Sequence, residues 1–223
     1  MDFRVFKDII SEKFPELSDD KIESFRKMED IYKDWNSKIN VISRKDIDML
    51  YLHHVLHSLA IAAYLKSEKP SVFEQWSIGN TSILDLGTGG GFPGIPLAIM
   101  FPHSDFVLCD SVGKKTIVAA AVTEALGLKN VKIVNARAES LTTNFDYVVS
   151  RAVTSLDKFY PWVKGKFSKS ILYLKGGDVA EEIAQLMSRY RMTKGSISVW
   201  KISTWNKDNY FEGKYVINLP SCF

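Results

Sequence analysis

Two cysteines in 223 residues, Cys109 and Cys222, are too few for a disulfide framework. No apolar run approaches the length of a membrane span. The first residues, Met1-Asp2-Phe3-Arg4, lack the pattern of a signal peptide. The cytoplasm is therefore the expected location. The chain has no internal repeat and no low-complexity segment. His53, His54 and His57 are clustered, and His53 and His57 lie one helical turn apart. A third ligand is missing, because His103 and the cysteines fall in other elements, so no metal is expected. Strong charge of one sign is also absent, with a net charge of +3. What remains, 46% apolar and 25% charged residues, is the composition of a soluble globular protein.

The most informative stretch is Asp85-Leu86-Gly87-Thr88-Gly89-Gly90-Gly91, directly after the apolar run Ser82-Ile83-Leu84. An acid two residues before a glycine turn at a strand end suits a nucleoside cofactor. The spacing Gly89-x-Gly91-x-x-Gly94 also fits a dinucleotide loop. Pro93 and Pro96 argue against that, since a pyrophosphate needs free N–H groups in the first helical turn and proline has none. S-adenosylmethionine (AdoMet) carries no phosphate. It needs close backbone approach, which glycine permits, and Asp85 can position its cationic methionine end. A side chain at Gly89 would then enter cofactor space. A glycine loop without a ligand is the competing reading.

The first 66 residues have helical periodicity. Phe25, Met28, Tyr32, Trp35 and Ile39 form one apolar stripe, and Ser18, Asp19 and Asp20 suit its start. A second helix is expected over about Asp46–Leu65. Lys66–Ser82, with Pro70, Gly79 and Asn80, reads as a connection. From Ile83 onward strands and helices alternate. The expected strands are Ile83–Leu86, Phe106–Cys109, Val131–Val134, Tyr147–Ser150, Ile171–Leu174, Ile197–Ile202 and Tyr215–Leu219. The expected helices are Gly94–Phe101, Lys114–Leu126, Leu156–Val163 and Val179–Tyr190. Such alternation implies an α/β fold, with a doubly wound, mostly parallel sheet covered on both faces. Residues 1–70 would form a helical extension packed on the catalytic domain of residues 71–223.

Ligands of such sheets bind at the carboxyl ends of the strands. Asp85, Asp110, the stretch Ala136-Arg137-Ala138-Glu139 and Ser150-Arg151 fall there. Asp110 suits ribose hydroxyls, or alternatively caps a helix with Ser111. Ala138 and Glu139 suit the adenine. Arg151 is either a cofactor contact or a structural salt bridge. Charge is uneven: residues 152–223 hold 11 Lys/Arg against 6 Asp/Glu. Lys158, Lys164, Lys166, Lys169 and Lys175 are interleaved with Phe159, Tyr160, Trp162 and Phe167. This strip is either an RNA-gripping surface, with Lys164, Lys166 and Lys175 on phosphates, or a solvated face over buried aromatics.

These segments together resemble the GidB/RsmG family, bacterial enzymes that methylate N7 of a guanine in 16S ribosomal RNA. Asn40-Val41-Ile42-Ser43 and His54-Val55-Leu56-His57-Ser58-Leu59 are similar to its N-terminal motifs. The run from Asp85 to Ile99, both prolines included, is similar to its cofactor loop. Asp110-Ser111 with Lys114-Lys115, Arg137-Ala138-Glu139, Phe145-Asp146, Ser150-Arg151-Ala152 and Lys175-Gly176 follow in order. The resemblance implies a Rossmann-like class I AdoMet-dependent methyltransferase fold. It implies cofactor contacts at Gly87, Phe92, Ala138, Glu139 and Arg151, beside the loop residues Asp85, Gly89 and Gly91 and the acid Asp110. It points to Asn40, His54 and Lys115 as pocket or RNA-facing residues, Asn40 and His54 being the catalytic candidates. The partner it implies is 16S rRNA or the 30S subunit, and a monomer is expected. His57 stands where the family is expected to carry Asp.

The chemistry agrees. An Asn/Asp-Pro-Pro-aromatic element for exocyclic amines is absent after the fourth strand, where the chain reads Ser150-Arg151-Ala152-Val153. Neither cysteine is placed to attack a pyrimidine carbon. Guanine N7 has a free lone pair, so alignment and water exclusion suffice, once the base has left its stack. RNA is expected across the sheet's carboxyl edge, between the extension and the basic segment. A methyltransferase on another RNA or a small molecule is the nearer alternative. A nicotinamide oxidoreductase, or an AdoMet-binding protein without catalysis, is further off.

Overall fold

The computed structural model describes residues 1–43, 46–193 and 195–221. Seven strands form one sheet in the order β3-β2-β1-β4-β5-β7-β6. They are β1 (Ser82–Leu86), β2 (Asp105–Asp110), β3 (Val131–Asn135), β4 (Phe145–Arg151), β5 (Phe167–Gly176), β6 (Ser198–Lys201) and β7 (Lys214–Pro220). The strands β1 to β5 are parallel. The seventh is not: β7 runs antiparallel to both β5 and β6 and lies between them. The segment joining β6 to β7 carries only short 3₁₀ turns, at Ile202–Thr204 and Asn209–Phe211. A parallel return needs a crossover of a dozen or more residues, usually a helix, so the chain folds back beside β6 instead.

The helices are α1 (Phe3–Lys13), α2 (Asp19–Lys38), α3 (His57–Glu68), α4 (Pro70–Ile78), α5 (Gly94–Met100), α6 (Gly113–Ala125), α7 (Leu156–Val163) and α8 (Ala180–Tyr190). Two of them depart from the sequence reading. The supposed connection 66–82 contains α4, with Pro70 in its first turn and Gly79 just past its end. Those breakers are its boundary signals, the proline where no N–H is needed and the glycine at φ 106°. Its Trp76 is fully buried, edge-on to Phe101 and Tyr147 at 5.3 and 5.2 Å. The supposed single helix 46–65 is three pieces. A 3₁₀ turn at Ile47–Met49 leads into a π-helix at Leu50–Leu56 and then α3. Single-turn π segments recur at functional sites, and this one carries His53 and His54.

The stripe on α2 faces inward as its spacing requires: Phe25, Met28 and Tyr32 are fully buried. They join Phe6, Ile10, Val55 and Leu59 in a core that continues to Leu172 and Val216 of the sheet. On the other face α7 and α8 enclose Val148, Phe159, Tyr160 and Leu186. No described helix is long and apolar enough to cross a membrane.

Candidate active site at the carboxyl edge of the sheet

A cleft of about 500 Å³ opens where β1, β2 and β4 end. Leu86 and Gly87 form its floor, Asp110, Ser111 and Lys115 one side, and Arg151, Ala152 and Val153 the other. Ala136 to Glu139 and Trp162 close the far end. Six residues expected to meet the cofactor or RNA thus converge: Gly87, Asp110, Lys115, Ala138, Glu139 and Arg151, with Arg137 beside them.

The glycines of the loop serve different ends. Gly87 has φ +74°, and a Cβ there would lie 2.4 Å from Val153 Cγ2. At Gly91, φ +106°, it would lie 2.3 Å from Ile95 Cδ1. Gly91 therefore serves internal packing and lines no part of the cleft. Only Gly89, φ +58°, has open space where a side chain would begin. The start of α5 offers no free amides to a phosphate. Gly94 N–H donates to Asp85 Oδ2 at 2.7 Å, Ile95 N–H to the Gly91 carbonyl at 2.8 Å, and Pro96 has none.

Asp85 is wholly buried beneath the loop rather than in the cleft. Its Oδ2 accepts from the Thr88 hydroxyl at 2.6 Å as well as from Gly94, and its Oδ1 has no partner. Burial raises its pKa to about 7, against the pull of those hydrogen bonds and of Arg151. Asp110 caps the start of α6, one of its two expected roles. Oδ1 accepts from Val112 N–H at the start of α6 and Oδ2 from Gly89 N–H, each at 2.9 Å. Each oxygen keeps a lone pair, and the carboxylate lines the cleft.

Arg151 has no salt bridge among the described residues. Its guanidinium donates to the His53 carbonyl and to His54 Nδ1, both at 2.9 Å, and lies 5.3 Å from the Phe92 ring centre. Phe92 is buried behind it, stacked on Tyr32, and does not line the cleft. An arginine can only donate, so His54 Nδ1 accepts and Nε2 carries the proton. Burial, then the nearby Arg151 charge, lower the His54 pKa to about 3. Here His54 orients Arg151. His57 is buried with its pKa well below the usual histidine range, through burial and then Arg151. Where the family was expected to place an acid, a neutral imidazole meets the Tyr210 hydroxyl at 3.2 Å. His53 pairs with Asp46 at 2.8 Å and stacks on Tyr210 at 4.0 Å. No group of three metal-ligating side chains occurs among the described residues.

Other expected residues lie elsewhere. Asn40 is exposed in a separate hollow with Lys33, Asn36 and Lys38. Its neighbour Val41 packs on the glycine loop, where a Cβ on Gly90 would lie 3.0 Å from Val41 Cγ2. Lys164 and Lys166 precede β5, so they lie at the amino edge of the sheet, opposite the cleft. Lys166 there donates to the Leu141 carbonyl. Lys175 is engaged with Glu182 at 3.0 Å and with the Thr154 carbonyl at 3.1 Å. The basic strip is thus the outer face of a packed segment, because Phe159, Tyr160 and Phe167 are core. Only Trp162 reaches the cleft. Cys109 is buried inside β2, its thiol pushed up to about 11 by burial. Cys222 lies outside the described residues.

Strand order, glycine loop and a cleft beside an acid at the end of β2 define a class I AdoMet-dependent methyltransferase fold. The structure is similar to magnesium protoporphyrin IX methyltransferase from Synechocystis PCC 6803 with bound SAM, at TM-score 0.60 and 12% identity, covering 92% of this chain and 98% of that one. It is also similar to a ribosomal protein L11 methylase from Lactobacillus delbrueckii subsp. bulgaricus, at TM-score 0.53 and 11% identity, covering 73% and 77%. The profile of the GidB family, rRNA small subunit methyltransferase G, matches residues 21–208. Ribosomal RNA small subunit methyltransferase G of Christiangramia forsetii is 48% identical over 96% of both chains. That of Flavobacterium johnsoniae is 46% identical over 97% of this chain and 99% of its own. The chain belongs to the GidB family.

Proposed function

We propose that this protein transfers the methyl group of AdoMet to N7 of a guanine in small-subunit (16S) ribosomal RNA. The observation that carries the cofactor assignment is Arg151, a half-buried cation at the cleft with no carboxylate of its own. A charge held this way calls for an anionic partner, and the AdoMet carboxylate supplies one. Asp110 then takes the ribose hydroxyls, and Ala138, Glu139 and Trp162 surround the adenine. The residues present fit the cofactor: a guanidinium for its carboxylate, a carboxylate for the ribose, Ala138 and Trp162 for the base, and a glycine that permits close approach. AdoMet brings the electrophilic methyl group. The occupied amides at the start of α5 disfavour a nicotinamide dinucleotide.

What the side chains do not provide supports an N7 acceptor. His54 and His57 are held neutral with lowered pKa values, and Cys109 is buried inside β2 with its thiol pushed up. The two carboxylates of the cleft, Asp110 and Glu139, are taken up by the cofactor in this reading, and N7 has no proton to lose. Single-turnover transfer at saturating AdoMet is accordingly expected to be nearly independent of pH between about 6.5 and 8.5. Mapping the transferred methyl on 30S subunits tests the assignment. A methyl on an exocyclic amine or a carbon, or a log-linear rise of rate with pH, refutes it.

The RNA approaches over the mouth of the cleft, where Lys115 and Arg137 stand, and not along Lys164 and Lys166. Replacing Lys115 and Arg137 together with alanine should weaken RNA binding and lower its salt slope by about 2. Lys164→Ala with Lys166→Ala should change neither. Filter binding across a salt series compares the pairs, and the reverse result returns the RNA path to the amino edge.

A further inference from the structure

The segment after β4 is the one wall of the cleft whose shape no part of the cofactor accounts for. It begins with Ala152, whose φ of +49° is a backbone conformation that costs a residue with a Cβ. It continues with Val153, which lies over Gly87 and is 38% exposed at the mouth. Strained conformations of this sort persist only where the surroundings impose them.

The surroundings here are specific. Tyr173 of β5 is fully buried, its ring edge-on to Phe159 at 4.7 Å. Its hydroxyl accepts from the Val153 and Thr154 amides at 3.0 and 3.1 Å and donates to the Thr154 carbonyl at 2.8 Å. One oxygen thus uses its donor and both lone pairs on two consecutive residues. The ammonium of Lys175 reaches the same carbonyl, and Glu182 binds both Lys175 and the Leu156 amide. Upstream, Ala152 N–H donates to the Leu174 carbonyl at 3.1 Å. Every turn of the segment from 152 to 156 is tied to β5 or α8.

We infer that Tyr173 is a positioning residue for methyl transfer: through Val153 and Thr154 it fixes the wall against which the acceptor base is aligned with the methyl group. The inference rests on the cofactor reading above. With the carboxylate on Arg151 and the ribose on Asp110, the methyl donor would fall between them near Gly87, and Val153 is the apolar side chain packed on that glycine. The acceptor must enter past it. In-line transfer tolerates little displacement, and a misplacement of about 1 Å costs on the order of 100-fold in rate. A clamp made by one hydroxyl and one ammonium on Val153 and Thr154, directly after a strained alanine, is a means of holding that tolerance. A glycine at 152 would adopt this backbone freely, and would leave it as freely.

Tyr173→Phe keeps the ring and removes the clamp. Single-turnover methyl transfer to 30S subunits should fall about 10–100-fold, with AdoHcy affinity within about threefold of wild type. Lys175→Met, which removes one of the two donors to the Thr154 carbonyl, should show the same split at smaller amplitude, and it tests the wall independently if Tyr173→Phe folds poorly. Val122→Ala, a buried change that lines no part of the cleft, serves as a control for general destabilisation. A Tyr173→Phe rate within threefold of wild type overturns the inference. So does a rate that falls in step with AdoHcy affinity, or an equal loss in Val122→Ala at the same folded fraction. A wild-type protein that binds AdoHcy but methylates no rRNA removes the functional reading itself, which the unmutated arm reveals.

Discussion

Arg151→Met is expected to weaken AdoHcy binding at least about 100-fold and to leave the chain folded. Removing one partner of a buried charge pair costs about 2–5 kcal/mol of binding. In the free protein the guanidinium is an uncompensated charge, so exchanging it for an apolar side chain of similar length should change stability by no more than ~1–2 kcal/mol. Lysine should not rescue, because one ammonium cannot reproduce the two forked bonds to the His53 carbonyl and His54 Nδ1. His54→Asn, which retains an acceptor, should bind better than His54→Leu, which has none. Calorimetry with AdoHcy and thermal melts without it measure both halves. Wild-type affinity in Arg151→Met would mean that the methionine carboxylate lies elsewhere.

Asp85→Asn is expected to stabilise the cofactor-free protein above neutral pH while weakening the cofactor. The Asp85 pKa rises from 3.8 to about 7 in the folded state, chiefly through burial. Between those values the folded chain holds a proton that the unfolded chain has released, so stability falls as pH rises from about 4 to about 7. Asparagine keeps an acceptor for Thr88 and Gly94 without the charge. A gain of roughly 2 kcal/mol at pH 8 would raise the melting temperature by about 4–8 °C, with the difference vanishing near pH 4. If the carboxylate also serves the cationic end of AdoMet, affinity should fall about tenfold in the same variant. Melting curves that track wild type at every pH would contradict the first claim. Unchanged affinity would confine Asp85 to shaping the loop.

Much of this was legible in the sequence because the signals were local. Asp85, Gly87, Asp110, Ala138 and Arg151 each sit at the end of an apolar run, and parallel topology carries such ends to one edge. The same rule, applied with care to β5, would have sent Lys164 and Lys166 to the opposite edge, since they precede a strand instead of following one. Their charge was visible; their direction required the topology. Tyr210 and Tyr173 could not be found this way. Tyr210 meets His53 and His57 from more than 150 positions away, and Tyr173 looked like an ordinary strand residue. Helix α4 was hidden by its own boundary residues, which imitate a loop when read together. The π-helix was hidden because the inward residues Leu50, Tyr51 and Val55 suit an ordinary α-helix as well.

The placement of β7 bears on how the chain is made. A ribosome delivers residues in order, so β5 and β6 emerge before the strand that must lie between them. Until Lys214–Pro220 arrives, β5 presents an open row of amides and carbonyls, Ile171 to Gly176, to any passing strand. Tyr210, just ahead of that strand, also completes the contacts around His53 and His57. The sheet edge and the packing around His53 and His57 are therefore completed by one short stretch of the chain. A chain ending before Tyr210 would present that open edge and lack the contacts around His53 and His57 together.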